Sequence, residues 1–351
     1  MPPITKRTKI GSSLPILGHY QKQLRKSINQ TLREHTSPIL KLLQYHMGLA
    51  NRFGEPANNP SGKAIRPSLC LFTCQAVGGN PNEAINVAVA LELVHNFSLI
   101  HDDIQDEDIE RHHRPTLWYE WGRGKALLAG NVMRLLGEDA ILRTKSAEIP
   151  VKERLACVSI LTESYLEMIE GQYLDLSFES RQDVSPNEYL GMVSKKTGAL
   201  MGASMHLGAI LGTNDKSQIT ALRNVGQELG LAFQCRDDVL GIWGDKSKTG
   251  KAVGSDIMRK KKSLPVVYAL QIASGPKKER LTDLYNGQEI NSRQVNDVLE
   301  ILNDLKAQTY TQAVADERHE AAIKWIENAK LNPTSEMALK EVSDFVTRRE
   351  H

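Results

Sequence analysis

Apolar residues recur at helical spacing along most of the chain. Val87, Ala90, Leu91, Val94, Phe97 and Ile100 fall three or four apart, which stacks them along one face of a helix. Comparable stretches rich in Ala, Leu, Glu, Lys and Met, the strong helix formers, fill the intervals between sparse prolines. After Pro186 no proline occurs until Pro265. Short alternating runs of Val, Ile and Thr, the mark of strands, are nearly absent. Ser185-Pro186-Asn187-Glu188 reads as a helix start: an N-cap, a proline at the first helical position and an acid in the first turn. The pattern predicts an all-α chain of roughly ten to thirteen helices with no meaningful sheet. Polar loops are expected over residues 51–62 and near Gly241 to Gly254. No internal repeat or low-complexity linker divides the sequence. Residues 1–351 are therefore expected to form a single helical domain, with 1–15 as a flexible N-terminal extension.

Composition narrows the function more than the fold. The 351 residues are 40% apolar and 25% charged, which permits a sizeable core. A net charge of +2 gives no global field toward nucleic acid or an acidic membrane. The N-terminal stretch is mildly basic but lacks the apolar run of a signal peptide. Nowhere do about eighteen uncharged apolar residues run together, so no transmembrane segment is expected. Cys70, Cys74, Cys157 and Cys235 show neither CxxC nor zinc spacing and read as reduced core cysteines of a cytoplasmic protein.

The chemistry gathers at two acidic motifs. In LIHDDIQD, which closes an apolar helix, Asp102 and Asp106 are four apart and share a face, with Asp103 offset by one. Carboxylates gathered there repel one another unless a cation or basic group joins them. Hard oxygen ligands so arranged suit magnesium, which keeps several waters and binds substrate phosphate directly. A single cluster of this kind at a helix end is more often solvated surface. The second motif changes that reading: in LAFQCRDDVLG, Gln234, Asp237 and Asp238 stand at i, i+3 and i+4, again at the end of an apolar helix. Two such pairs suggest facing walls of one cavity, with hydrocarbon lining from the helices and metals at the mouth. Cations surround the motifs: Lys63 and Arg66, His95, Arg111 and Arg114, Lys196, Lys251 and Lys261. Singly each is a surface charge; together they are what a polyanion needs beside metal-bound carboxylates.

GKAIRP, HNFSLIHDDIQDED, RPTLW, EGQYLDL, KKTGAL, FQCRDDVLG and TGKAVGSDIMRKKKSLP follow one another in the order found in trans-polyprenyl diphosphate synthases. The sequence resembles that family over roughly residues 60 to 270. The resemblance implies a helical bundle around a deep apolar pocket, homodimeric, with three magnesium ions at its mouth. It implies a short-chain member, such as a farnesyl or geranylgeranyl diphosphate synthase. Such an enzyme ionises an allylic diphosphate and adds isopentenyl diphosphate, releasing inorganic diphosphate, and the departed diphosphate serves as the base. Carried over by motif, Asp102, Asp103 and Asp106 hold two metal ions, and Asp237 with Asp238 the third. Arg111, Lys196, Thr197, Gln234, Lys251 and Lys261 hold the allylic diphosphate. Lys63, Arg66, His95 and His112 hold isopentenyl diphosphate. Asp102, Asp103, Lys196 and Asp237 are the residues expected to carry catalysis.

The sequence departs from the family at three positions. Arg111-His112-His113 stands where Arg-Arg-Gly is usual, and His112 grips a diphosphate only when protonated. Gly241 replaces the third aspartate of the second motif, and Asn131 an aspartate of an Ala-Gly-Asp segment. Two alternatives follow: a class I terpene synthase that cyclises or hydrolyses a prenyl diphosphate, and a non-catalytic subunit of a heteromeric synthase. Retention of Lys63, Arg66 and His95 argues against the first, and both Asp-Asp pairs argue against the second. By the same resemblance, residues just upstream of the first motif floor the pocket. Phe97 lies roughly 7.5 Å before Asp102 along a helix. Its ring beside the small Ser98 resembles members whose products have about fifteen to twenty carbons.

Overall fold

A computed structural model of the chain describes residues 15–57, 62, 64–145, 147–244, 253–287 and 289–348. The expected N-terminal extension lies outside that range up to residue 14, and so do Lys63 and Lys251.

Within the described residues the chain forms sixteen α-helices, one π-helical turn and one two-stranded hairpin. The first four helices are α1 (Pro15–Arg33), α2 (Leu40–His46), α3 (Ile65–Ala76) and α4 (Ile85–Gln105). The hairpin pairs β1 (Glu110–Arg111) with β2 (Arg114–Pro115), antiparallel, with Arg111 opposite Arg114. Then come α5 (Leu117–Trp121), α6 (Arg123–Leu142), α7 (Val151–Glu179), α8 (Pro186–Val193) and the π turn (Ser194–Gly198). Next are α9 (Ala199–Ile210), α10 (Lys216–Trp243), α11 (Ser255–Met258) and α12 (Leu264–Ile272). The chain closes with α13 (Gly275–Asn286), α14 (Ser292–Asp304), α15 (Ala307–Asn328) and α16 (Pro333–Arg348). The count exceeds the sequence expectation because α2, α5 and α11 are too short to complete a helical pattern.

Local signals account for several boundaries. Ser185 and Glu188 form a full capping box at the start of α8, with Pro186 inside it. Asp215 caps α10 by accepting from the backbone N–H groups of Ser217 and Gln218. The polar loop after α2 is held by Asn51, whose side-chain oxygen accepts from the N–H groups of Phe53 and Glu55.

Helix α4 is apolar on more than one face and is buried accordingly: Val87 to Leu91, Leu93, Val94, Phe97 and Ile100 are all inside. α6 lies antiparallel along it, with Gly130 against His101 and Gly137 against Ala90 and Val94. α10 packs along both α9 and α15, and α3 joins α4 to α9. The largest core cluster surrounds α4, a second joins α9, α10, α15 and α16, and a third lies among α12, α13 and α14. All four cysteines are free and buried. Among the described residues no helix is long and apolar enough to cross a membrane.

Candidate active site

The bundle encloses a cavity of about 1020 Å³ bounded by α3, α4, α6, α7, the π turn and α10. Asp102 of α4 and Asp237 of α10 both line it. The two acidic motifs thus sit on separate walls of one cavity.

The acids divide by environment. Asp102 is pushed up to about 6, chiefly by burial, against the pull of Lys196 and with the added repulsion of Asp106. Asp106, one turn further on, is exposed. Asp103 does not line the cavity; its Oδ1 accepts from Arg111 Nε at 2.7 Å. Burial raises it to about 6 even so, with Arg111 opposing. Asp238 is fully buried and accepts from the Tyr189 hydroxyl (2.7 Å), Gln234 Nε2 (3.0 Å) and the Leu264 N–H (3.1 Å). Burial raises it to about 6 as well, despite Lys261 and those three donors. Asp103 and Asp238 therefore orient Arg111 and Gln234, while Asp102 and Asp237 line the cavity and Asp106 is exposed one turn beyond Asp102. The donor set fits magnesium. These are hard carboxylate oxygens, although among the described residues no group of three or more His, Cys, Asp or Glu side chains is arranged to hold a metal ion unaided. A cation there would take its remaining ligands from water and phosphate, as magnesium does.

Lys196 reaches the site through the π turn, a device common at functional positions. The turn presses on α7 so closely that a β-carbon on Gly171 would lie 2.3 Å from the Lys196 nitrogen. Gln227 secures it from α10, donating to the Ser194 carbonyl at 3.0 Å and the Ser194 hydroxyl at 2.7 Å. Lys196 Nζ donates to Asp175 Oδ2 at 2.5 Å. Burial works against its charge, but Asp175 and Asp102 outweigh burial and hold the ammonium above its ordinary value. Thr197 donates to Gln234 Oε1 at 3.2 Å, so the chain Thr197–Gln234–Asp238–Tyr189 fixes the Gln234 amide.

Arg66, His95 and His112 line the cavity together with Arg111. Arg66 Nη1 donates to His95 Nε2 at 3.2 Å, which makes that nitrogen an acceptor and the imidazole neutral. Burial first, then Arg66 and Arg111, hold His95 well below the usual imidazole range. Glu92 lies behind Arg66, raised to about 7 by burial against the pull of Arg66 and Asn96. Asn96 donates to Glu92 Oε1 at 3.2 Å, and its own oxygen lies 3.1 Å from His46 Nε2. His112 and His113 form the two-residue turn between β1 and β2, at φ 51° and 59°. Such a turn needs positive φ at both positions and favours Asn-Gly. Arg114 anchors the hairpin by donating to the carbonyls of Tyr45 and His46. His112 is held below its ordinary pKa by partial burial, then by Arg111 and Arg114.

The loop expected from Gly241 is helix as far as Trp243, because α10 continues through the glycine, and residues 245–252 of that expectation lie outside the described residues. Room there is taken by Asp256 of α11, whose Oδ2 lies 2.2 Å from where a β-carbon would stand. A carboxylate thus occupies the space of the absent aspartate side chain, brought from another part of the chain. Asp256 Oδ2 also lies 3.8 Å from Lys261 Nζ. Burial would lower that ammonium, but Asp256 first and then Asp238, Asp175 and Asp237 hold it above its ordinary value. Lys261 is not on the cavity lining.

Phe97 and Ser98 both line the cavity. The Phe97 ring is buried and meets His101 edge to face at 4.8 Å. Sequence reasoning gave no role to Glu92, Asn96, Gln172 or Asp175. The last pair had a signal: they stand three apart on α7 and share a face. Gln172 Nε2 donates to Gln105 Oε1 at 2.8 Å, tying α7 to the end of α4.

The sequence profile described as Polyprenyl synthetase matches residues 50–302. A Mycobacterium tuberculosis protein named (2E,6E)-farnesyl diphosphate synthase is 43% identical over 270 residues, 76% of this chain and 72% of that protein. A short chain isoprenyl diphosphate synthase from Methanothermobacter thermautotrophicus is 38% identical over 338 residues, 96% of this chain and 99% of that one. The crystal structure of geranylgeranyl pyrophosphate synthetase from Pyrococcus horikoshii superposes with a TM-score of 0.84 at 32% identity. That match covers 95% of this chain and 98% of that one.

Proposed function

The chain belongs to the polyprenyl synthetase family, and from that premise we propose that the cavity between Asp102 and Asp237 is where a prenyl chain is lengthened. The protein is a trans-prenyltransferase of the short-chain type, joining isopentenyl diphosphate to an allylic diphosphate. The observation that carries the site assignment is two acidic walls facing one cavity of about 1020 Å³ with Lys196 beside them. Lys196, Thr197, Gln234 and Arg111 hold the allylic diphosphate, and Lys251 and Lys261 extend that set by the family pattern. Lys196 is delivered charged by Asp175, which it exchanges for the substrate's phosphate oxygens. Arg66, His95 and His112, with Lys63 by the same pattern, hold the isopentenyl diphosphate. The apolar lining takes the hydrocarbon and keeps water from the carbocation. Asp102, Asp106 and Asp237 would hold magnesium, three ions by the family's pattern, which neutralises charge on the leaving diphosphate when bound.

The alternatives gain no support. Arg66 and His95 remain paired in the cavity, as a synthase needs and a cyclase does not. Both acid walls are intact. The test is incubation with magnesium, isopentenyl diphosphate and allylic diphosphates of increasing length, each also run alone. Longer diphosphates that require isopentenyl diphosphate are expected. Hydrocarbons or alcohols formed without it and without phosphatase would overturn the reading.

The same reading includes a second copy of the chain. Leu127, Leu128 and Leu135 on α6 and Val151, Leu155 and Leu166 on α7 are each about half exposed or more, an apolar face suited to a homodimer. Sedimentation should give twice 39.1 kDa; a monomer at assay concentration would remove this part. Buried free cysteines fit the reducing cytoplasm as its location.

His112 offers a graded test. Its imidazole is held neutral near pH 7, so His112→Arg supplies a permanent charge at the isopentenyl end. The Michaelis constant for isopentenyl diphosphate should fall by about tenfold with kcat little changed, since the gain is uniform binding. An unchanged constant would place His112 outside that subsite.

A further inference from the structure

The cavity ends on a polar group. Arg134 of α6 and Tyr165 of α7 both line it. Arg134 Nη1 donates to Glu138 Oε1 at 2.7 Å and to the Tyr165 hydroxyl at 2.5 Å. That hydroxyl donates in turn to the same Glu138 oxygen at 2.8 Å, closing a three-membered network. The guanidinium also lies 5.2 Å from the Tyr165 ring centre.

Helix register gives the depth of this network. Gly130 of α6 meets His101, and Gly137 meets Ala90 and Val94, so Arg134 between them is level with Phe97. Tyr165 lies ten residues before Asp175 on α7, about 15 Å of helix away from the ammonium of Lys196. The network therefore stands at the far end of the cavity, across from the Phe97 ring.

We infer that Arg134, Glu138 and Tyr165 form the other half of the floor, so that product length is set by an ion pair as well as by Phe97. The inference rests on the prenyl-transfer reading above. A growing tail gains by covering apolar side chains. Beyond Met168, which also lines the cavity, the surface it meets is a charge pair held by three hydrogen bonds. Arg134 and Glu138 keep partial contact with water, at 28% and 22% side-chain exposure. A further isoprene unit would have to strip that water or break the network, and a hydrocarbon replaces neither loss.

The test removes both charges together, so that no charge is left buried alone. Arg134→Leu with Glu138→Leu should shift the major product upward by at least one five-carbon unit under identical substrate ratios. Arg134→Met with Glu138→Gln keeps the volume nearly constant and should shift it the same way. The second pair also serves if the first fails to fold, as judged by circular dichroism. Either pair folded, active and giving the wild-type product would overturn the polar floor. Wild-type protein that makes no longer diphosphate at all would overturn the prenyl-transfer reading beneath it, and the same assay reads that result separately.

Discussion

Asp102→Ala should reduce kcat by about a thousandfold or more while the protein stays folded. Asp102 is the carboxylate of the first motif that is both half-buried and on the cavity lining, facing Lys196. Its loss removes a cation ligand at the point where charge develops on the leaving diphosphate. The stability effect should have the opposite sign to a lost contact. Burial raises this acid from its ordinary value to about 6, so the folded state binds its proton more tightly than the unfolded chain does. The stability that proton brings is present below the unfolded value and is lost as pH rises through about 6. At pH 7 in chelator the charged Asp102 therefore opposes folding, and Asp102→Ala should melt at the wild-type temperature or above it. Kinetics together with thermal melting check the claim. Near-normal turnover would sink the two-wall arrangement, and a marked fall in melting temperature would make Asp102 a structural acid.

Gly171→Ala is expected to damage the protein more than any other single added methyl on α7. The new carbon would stand 2.3 Å from the Lys196 nitrogen, 2.6 Å from its α-carbon and 2.9 Å from the Lys195 carbonyl carbon. All three are backbone atoms of the π turn, so no side chain can swing aside. Overpacking of this kind costs about 3 kcal/mol. The protein escapes part of that only by moving the turn, and with it Lys196. Denaturant unfolding should show the loss. The Michaelis constant for the allylic diphosphate should rise by about tenfold or more, with that for isopentenyl diphosphate less affected. Unchanged unfolding and unchanged constants would show that the two elements have room to separate.

Helices with a long apolar period were legible from the sequence, α4 above all, because its burial is written every three or four residues. The facing of Asp102 and Asp237 was legible for the same reason, each closing such a helix. What escaped had no local signal. The π turn at Ser194–Gly198 is packed against Gly171 and hydrogen-bonded by Gln227, one before it and one after it in the chain. Asp256 filling the space at Gly241 joins residues well separated along the chain. The different duties of Asp102 and Asp103 depend on Arg111 arriving from the hairpin. Adjacent identical residues cannot be told apart by type. The His112-His113 turn was read as a lost charge, whereas the structure shows a backbone that favours Asn and Gly accommodating two imidazoles.

The π turn also limits how this gene can change length. A π turn holds one residue more than the α-helical path would, so removing any one residue from 194–198 lets α8 run straight into α9 as regular helix. Because the turn already absorbs that residue, α9 would keep its present neighbours, whereas a residue lost from within α9 itself would turn everything beyond it by about 100°. The buried face of Leu200, Met201, Ala203 and Leu207 would stay in the core, and the loss would fall on the placement of the lysine. A single in-frame codon loss at the turn would therefore spare the packing of the helix and cost the enzyme its lysine, while the same loss a few residues later would be met by the rest of α9 at once.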